Sequence, residues 1–205
     1  MVAVIDYGMG NLRSVFNAIE ILGFSAELVK DPEKLQLYDH VILPGVGSFR
    51  VCMDNLQKTG FDQSIKEYVQ TGNALMGICL GMQILATRGF EDGESLGLDI
   101  IPGVVEKINP LDAKIKIPHV GWNDVTFNSI GNPLIKSMKN SETFYFTHSY
   151  ILKCDNLNYV FGETIYEKSF TSAVLKENVF ATQFHPEKSQ DVGLKLFKNF
   201  INWTP

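Results

Sequence analysis

The first half of the chain alternates short apolar runs with segments of helical periodicity, and this alternation constrains the fold more than any other feature. Strands are predicted at the runs Val2–Ile5, Ala26–Val29, Val41–Leu43 and Ala74–Ile78. Helices are predicted over Asn11–Leu22, Phe61–Thr71 and Leu80–Ala86. Strands separated by helices form a parallel sheet that is covered on both faces and binds ligands beyond the carboxyl ends of its strands.

The second half has a different pattern, in which short β-rich runs alternate with turn residues. These runs are Val125–Phe127, Thr143–Thr147, Tyr159–Ile165 and Ala173–Leu175. We expect them to be antiparallel strands that extend the sheet, followed by a last strand at Val179–Phe184 and a final helix capped by Ser189. Because there is no internal repeat or linker, residues 1–205 are predicted to form a single α/β domain, with a mostly parallel central sheet flanked by helices.

Composition and charge exclude several classes of protein. The chain of 205 residues carries a net charge of −5 and has no basic run, so a nucleic-acid partner is not expected. Its three cysteines are far apart and lie outside any Cys/His cluster, which argues against a disulfide framework and against a metal site. No apolar run approaches the roughly 20 residues that span a membrane, and no signal-peptide pattern is present. We therefore expect a cytoplasmic protein without a cofactor.

The segment Gly77-Ile-Cys79-Leu-Gly81 joins a predicted strand to a predicted helix and has the pattern of a nucleophile elbow. Its glycines permit a sharp turn and close packing of the strand on the helix. Such a turn presents the Cys79 side chain at the sheet edge, where a helix N-terminus favours the thiolate and the Leu80 N–H faces a developing oxyanion. The alternative is a buried cysteine that packs as a small apolar residue, and the elbow pattern alone leaves both open.

A cysteine nucleophile needs a general base, and His185 is the best candidate because it follows the last predicted strand. Pro186 favours an extended backbone at His185, and in an extended segment Glu187 lies on the same face. Glu187 can then orient one imidazole nitrogen while the other faces Cys79. The alternative is an ordinary polar surface loop.

The loop Pro44-Gly-Val-Gly47 follows another strand at the same edge of the predicted sheet. Its glycines let backbone approach a ligand closely and present N–H groups. We interpret it as a second oxyanion donor, through the N–H of Val46 or of a neighbouring glycine. A simple flexible turn is the alternative.

Six segments together resemble the class I, triad-type glutamine amidotransferases, and the resemblance runs nearly from end to end of the chain. They are Asp6-Tyr-Gly-Met-Gly-Asn11, Leu43-Pro-Gly-Val-Gly47, Gly77-Ile-Cys-Leu-Gly-Met-Gln83, Pro118-His-Val-Gly-Trp-Asn123, Thr147-His-Ser-Tyr150 and Phe184-His-Pro-Glu-Lys-Ser189. The resemblance implies that Cys79 attacks the side-chain amide of glutamine, with His185 as general base and Glu187 as the carboxylate that orients it. The implied substrate-binding residues are Gly45, Val46, Gly47, Leu80, Gln83, Glu91, Ser149 and Tyr150.

The resemblance also implies a partner, a (β/α)₈-barrel cyclase that receives the ammonia in a heterodimer. The positions that match a partner-facing surface are Asn11, Trp122, Tyr145 and Lys188. The loop after Thr87 departs from the family pattern, so Glu94 is an alternative to Glu91 for binding the substrate amino group.

The resemblance favours a glutaminase of histidine biosynthesis, and a paralogue that supplies ammonia for amidation of a cell-surface sugar is the alternative. A non-catalytic subunit on the same fold is a second alternative, but the intact Cys79, His185 and Glu187 argue against it. A peptidase is a third, which Gln83 and the Pro44–Gly47 loop disfavour.

Overall fold

A computed structural model describes residues 1–205 and contains two β-sheets. The strands are β1 (Val2–Ile5), β2 (Ala26–Val29), β3 (His40–Gly45), β4 (Ala74–Cys79), β5 (Ala86–Gly89), β6 (Ser95–Leu96), β7 (Ile101–Lys107), β8 (His119–Phe127), β9 (Ser141–His148), β10 (Tyr150–Cys154), β11 (Val160–Tyr166), β12 (Lys168–Lys176) and β13 (Val179–Thr182). The α-helices are α1 (Leu12–Ile21), α2 (Phe49–Thr59), α3 (Phe61–Gln70), α4 (Leu80–Gln83) and α5 (Gln190–Ile201). Short 3₁₀ helices cover Pro32–Leu37, Pro133–Ile135, Leu157–Tyr159 and Pro186–Lys188.

The larger sheet has nine strands in the order β2-β1-β3-β4-β13-β12-β11-β8-β9. The first five of these pair in parallel, and the remaining neighbours pair antiparallel. The fold class predicted from the sequence, a mostly parallel sheet extended by antiparallel strands of the C-terminal half, is therefore confirmed.

The core lies on both faces of the larger sheet because successive side chains of a strand point to opposite faces. In β1, Ala3 and Ile5 belong to one buried cluster, which includes residues of α2 and α3. Val2 and Val4 belong to the other, which includes residues of α1 and α5. Both faces of β1 are thus buried, as expected for parallel strands covered by helices.

A second sheet of four strands, in the order β10-β7-β5-β6, was not predicted. The predicted helix over Leu80–Ala86 is wrong beyond Gln83, because α4 ends there and β5 begins at Ala86. The carbonyl of Ile84 accepts the N–H of Leu98, and that of Leu85 accepts the N–H groups of Ile100 and Ile101. These distant partners take the carbonyls that a longer helix would have used.

Helix α2 was also missed, although its buried side chains have helical spacing. Phe49, Cys52, Met53 and Leu56 are buried on one face, and Gly60 ends the helix in a left-handed conformation. None of the helices is both long and apolar enough to cross a membrane. All three cysteines are free thiols.

Candidate active site

Cys79 lies in a strained turn between β4 and α4, with φ 55° and ψ −108°. The flanking glycines are required by close contacts rather than by a left-handed backbone conformation. A Cβ atom at position 81 would overlap the carbonyl oxygen of Leu43, and one at position 77 would lie 2.8 Å from the carbonyl oxygen of Gly81. The turn therefore has the strand-to-helix geometry of a nucleophile elbow, and a non-glycine residue in this backbone region stores on the order of 1–3 kcal/mol of strain.

The elbow is at the carboxyl edge of three adjacent parallel strands. Gly45 at the end of β3 is the register partner of Cys79. On the other side, Thr182 of β13 pairs with Ile78, which brings the next residue, Gln183, beside Cys79. The Nε2 of Gln183 donates to the Cys79 sulfur at 3.7 Å, and the carbonyl of Thr147 lies 4.0 Å from the same atom.

His185 is held in place by the edge strand β9. Its N–H donates to the carbonyl of Tyr145 at 2.9 Å, and its own carbonyl accepts the Ser189 hydroxyl at 2.6 Å. The same hydroxyl accepts the N–H of Tyr145 at 3.0 Å. Ser189 occupies the N-cap position of α5 but makes no side-chain cap bond, so the predicted capping role is wrong: its hydroxyl joins the His185 segment to β9 instead.

The imidazole of His185 is paired on one side and free on the other. Its Nδ1 lies 2.7 Å from Oε1 of Glu187, and both side chains are 2% exposed. Its Nε2 is buried and has no hydrogen-bond partner. His185 is extended as expected, but Pro186–Lys188 turn into a 3₁₀ helix, so the pair forms across a tight turn rather than along a strand.

The charges around His185 favour its imidazolium. Burial disfavours the charged form, but the facing Cys79 sulfur and the Glu187 carboxylate outweigh it and raise the pKa of His185 to about 10. Such a base is protonated when it faces a thiolate and can later give its proton to a leaving group.

Cys79 and His185 both line one cavity of about 320 Å³, at the small end of the range for ligand pockets. The predicted site residues that line it are Val46, Gly47, Cys79, Leu80, Gln83, Glu91, Ser149, Tyr150, His185 and Lys188. Gly45 lies beneath the elbow instead, where a Cβ atom would be 2.7 Å from the N–H nitrogen of Gly81. Pro118, Thr147 and His148 also line the cavity and were not assigned to it from the sequence.

The two acidic candidates of the loop after Thr87 are separated by the structure. Glu91 lines the cavity and accepts the N–H of Phe49 at 2.8 Å. Burial raises the pKa of Glu91, the hydrogen bond from Phe49 lowers it, and Asp92 raises it further. Glu94 instead pairs with Arg88 at 3.0 Å and is more than half exposed. Of the two, Glu91 is the carboxylate available to a ligand in the cavity.

Two neutral histidines are paired at the cavity wall, where His148 lines the cavity and His119 does not. His119 Nδ1 and His148 Nε2 are 2.9 Å apart, and both residues are buried. Burial lowers the pKa of His119 to about 4 and is also the largest cause that lowers the pKa of His148, to about 3. The two rings are hydrogen-bonded to each other, so a positive charge on one would repel a positive charge on the other. Both rings therefore stay uncharged at neutral pH.

Three of the four predicted partner-facing residues form a cluster on the surface. The rings of Trp122 and Tyr145 are 6.0 Å apart, and Lys188 Nζ lies 5.8 Å from the Tyr145 ring. Trp122 is 49% exposed, and neighbouring Val120 is 56% exposed. Asn11, the fourth, is the N-cap residue of α1. Lys188 also lines the cavity, so the cluster borders the candidate site.

Comparison with known proteins gives one family. The family model for glutamine amidotransferase class-I matches residues 3–203. The chain is 44% identical over 205 residues to the imidazole glycerol phosphate synthase subunit HisH of Syntrophotalea carbinolica, covering 98% of each chain. It is 45% identical over 202 residues to subunit HisH 1 of Campylobacter jejuni strain RM1221, covering 98% of this chain and 99% of that protein.

Solved structures agree on the fold. The structure of PurLQS from Thermotoga maritima superposes with a TM-score of 0.75 at 22% identity, covering 98% of this chain and 97% of the other. At that identity, the likeness speaks for the fold and not for a shared substrate.

Proposed function

The chain belongs to the class-I glutamine amidotransferase family, and from this membership we propose that it is the glutaminase subunit of an imidazole glycerol phosphate synthase. It hydrolyses glutamine to glutamate and ammonia, and the ammonia is used in histidine biosynthesis. The observation that carries the proposal is the cavity in which a cysteine on a strained elbow meets a histidine with a free, buried Nε2.

In the proposed mechanism, Cys79 is the nucleophile, His185 the general base and Glu187 the residue that orients it. His185 Nε2 takes the thiol proton, and the sulfur attacks the amide carbon of glutamine. The proton then passes to the departing ammonia, which leaves a thioester. His185 next takes a proton from water, which hydrolyses the thioester to glutamate and regenerates the thiol. Glu187, 2.7 Å from Nδ1, fixes the ring and stabilises its charge.

The tetrahedral intermediates need hydrogen-bond donors at their oxyanion. We assign this role to the backbone N–H groups of Leu80 and Val46, which border the cavity from the elbow and from the Pro44–Gly47 loop. Gly45 and Gly47 serve the same loop: the first allows close packing on the elbow and the second has φ 107°. Removing one such donor typically costs about 3 kcal/mol of transition-state stabilisation.

Glutamine is held by polar groups around the cavity. Glu91 supplies a carboxylate for the substrate ammonium group, and Ser149 and Tyr150 also line the cavity. Gln83 uses its N–H donors on Tyr150 and Gln183, and no protein group donates to its Oε1. This oxygen is therefore available to accept an N–H of glutamine.

The partner in this proposal is a (β/α)₈-barrel cyclase that docks on the cluster of Trp122, Tyr145 and Lys188, with Asn11 as a further contact, to form a heterodimer. Exposed aromatic residues beside a cation are typical of interface hot spots. The cluster borders the cavity through Lys188, so a docked partner would lie close to where ammonia is released. A single domain over residues 1–205 and a cytoplasmic location complete the proposal.

The reported relatives are named as subunits of imidazole glycerol phosphate synthase. No observation favours the alternative paralogue that supplies ammonia for a cell-surface sugar, and it is not pursued.

The proposal is tested by measuring glutamate release from glutamine by the chain alone, with the barrel cyclase, and with the cyclase and its ligand. We expect glutamate in the complete mixture. Ile130→Ala, at an exposed residue beyond the end of β8, is the surface control, and we expect it to retain full activity. Absence of glutamate under all three conditions, with folded protein, would refute the proposal.

A further inference from the structure

Gln183 is a fully buried polar side chain whose two polar ends both point to the candidate site. It is 0% exposed, and it directly follows the last residue of β13. Its Oε1 accepts the N–H of Gln83 at 2.9 Å, and its Nε2 lies 3.7 Å from the sulfur of Cys79. We propose that Gln183 is a positioning residue, which donates an N–H to the Cys79 thiolate and holds Gln83 against the substrate. This inference rests on the proposed glutaminase function.

The orientation of the Gln183 amide follows from a carbonyl that can only accept. Gln83 Nε2 lies 2.9 Å from the carbonyl oxygen of Tyr150, so the group at that position must be the NH₂. The second N–H of the same group then faces Gln183, which must present its oxygen. The NH₂ of Gln183 is consequently the end that faces Cys79.

The carbonyl of Tyr150 also determines which ring nitrogens of His119 and His148 carry a proton. Tyr150 O also lies 2.9 Å from His148 Nδ1, which therefore carries a proton, and His148 Nε2 accepts from His119 Nδ1. His119 Nε2 then accepts from Asn123, whose NH₂ also donates to the carbonyl of Ile165. One hydrogen-bond chain with every donor assigned thus runs from β8 to Cys79.

Burial of the Gln183 amide lowers the stability of the fold, which indicates that the amide has a role in the site. A primary amide removed from water costs free energy unless its hydrogen bonds are replaced, and an apolar residue of similar size would avoid that cost. The only side chains that satisfy Gln183 are Gln83, which lines the cavity, and the nucleophile. A neutral N–H donor stabilises a thiolate without adding a charge that would compete with His185.

The test measures the rate at which iodoacetamide alkylates Cys79 as a function of pH, in the full chain. Burial raises the pKa of Cys52 to about 12 and of Cys154 to about 11, so neither thiol competes near neutral pH. In Gln183→Met, which lacks the donor, we expect the midpoint of the alkylation profile to move up by about one pH unit. In Gln183→Glu, which places an acceptor at the sulfur, we expect a larger upward movement. In the presence of the partner, Gln183→Met should also raise KM for glutamine by about tenfold, because Gln83 loses the oxygen that accepts its N–H, whereas Gln183→Glu keeps such an oxygen and should change KM less.

Asn178→Asp is the matched control. Asn178 is a buried amide at the opposite end of β13, where it donates to the carbonyls of Val69 and Asn73. Asn178→Asp makes the same amide-to-acid change as Gln183→Glu but away from the sulfur. The midpoint of its alkylation profile should equal that of the wild type. A Gln183→Met protein that folds and gives the wild-type profile overturns the proposal. Because alkylation needs no glutamine, this outcome is separate from failure of the proposed function, which shows as absence of glutamate release by the wild type.

Discussion

At the scale of single residues, the site contains buried polar atoms of His185 and Glu187 that have no hydrogen-bond partner within the protein. His185 Nε2 is buried and unpaired, and in Glu187 one carboxylate oxygen is bonded to His185 while the other is unpaired. Buried polar groups are nearly always satisfied, and unpaired atoms also occur at Arg50, Thr164 and Ser172. Among the unpaired side chains, however, only that of His185 lines the cavity, where a ligand can complete its bonding. Glu91, with one oxygen bonded to Phe49, is the acidic counterpart on the cavity wall.

The comparison of Glu91 with Glu94 tests substrate recognition at this scale. Glu91→Gln should raise KM for glutamine by on the order of tenfold or more, with a smaller effect on kcat, because a carboxylate that binds the ammonium group acts in ground and transition states alike. Glu94→Gln should leave KM unchanged, since Glu94 pairs with Arg88 at the surface. Steady-state kinetics of both variants decides, and an effect in Glu94→Gln alone would reverse the assignment.

At the scale of elements, the elbow depends on the packing of α4 against β3. Gly81→Ala places a methyl group against the Leu43 carbonyl, and backbone cannot move aside easily. We expect the free energy of unfolding, measured by urea denaturation, to fall by about 3 kcal/mol. Gly131→Ala is the control: its φ is 88° but its Cβ meets open space, so a loss of about 1 kcal/mol is expected. Equal losses in the two variants would contradict this account of the elbow.

The paired histidines of β8 and β9 predict loss of stability in acid. Their folded pKa values, about 4 for His119 and about 3 for His148, lie below the ordinary 6.5. Below pH 6.5 the unfolded chain therefore binds more protons than the fold, and stability falls as pH falls. Each ring contributes a loss of about 2 kcal/mol between about pH 7 and pH 5, and His185, whose raised pKa acts in the opposite sense, offsets about 1 kcal/mol, so we expect a net loss on the order of 3 kcal/mol, measured by urea denaturation.

The dependence on these rings is checked in a variant. His119 stacks on Phe146 and Tyr166, so Phe fits in its place while removing one titrating group. His119→Phe should be less stable at neutral pH but should lose less stability on acidification. If the free energy of unfolding of His119→Phe fell with pH as steeply as that of the wild type, other groups would be responsible for the pH dependence.

Most elements of the larger sheet were predictable from local patterns, although α2 was missed, and the second sheet was not. The elbow is predicted from five consecutive residues, Gly77 to Gly81. Strands β1 to β4 are short apolar runs that can be recognised without knowing their partners in the sheet. Strand β5 is different, because Ala86 and Arg88 become a strand only by pairing with β7. Gln183 gave no signal either, since it fell inside the predicted strand Val179–Phe184 and no motif assigned its side chain a role. Its role depends on β13 lying beside β4, which spacing along the chain does not reveal.

At the scale of the whole molecule, the fold gathers the site from segments far apart in sequence. Cys79 comes from a parallel strand of the N-terminal half, and His185 follows the last strand, which lies next to it in the sheet. The antiparallel strand β9 then carries Tyr145, which binds His185 through its backbone and meets Trp122 through its ring. Strand β9 therefore contacts both the proposed base and the proposed partner surface.

This arrangement predicts a selective effect on partner binding. Trp122→Ala should weaken the complex with the barrel cyclase by about tenfold or more, measured by titration calorimetry, because half-exposed aromatic residues are frequent hot spots. Stability of the isolated chain should change little. Ile130→Ala, at a more exposed apolar residue elsewhere, should bind as the wild type does. Equal weakening of the complex in both variants would contradict the proposal that the cluster of Trp122, Tyr145 and Lys188 is in the interface.

The central claim is that glutamine is hydrolysed through a thioester on Cys79. The direct measurement is the rate of glutamate formation by wild-type chain and by Cys79→Ala, each in complex with the partner and its ligand. Loss of a covalent nucleophile typically costs on the order of 10⁶ in kcat, so we expect no detectable glutamate from the variant. Glutamate production by a folded Cys79→Ala protein at a rate close to that of the wild type would contradict the account.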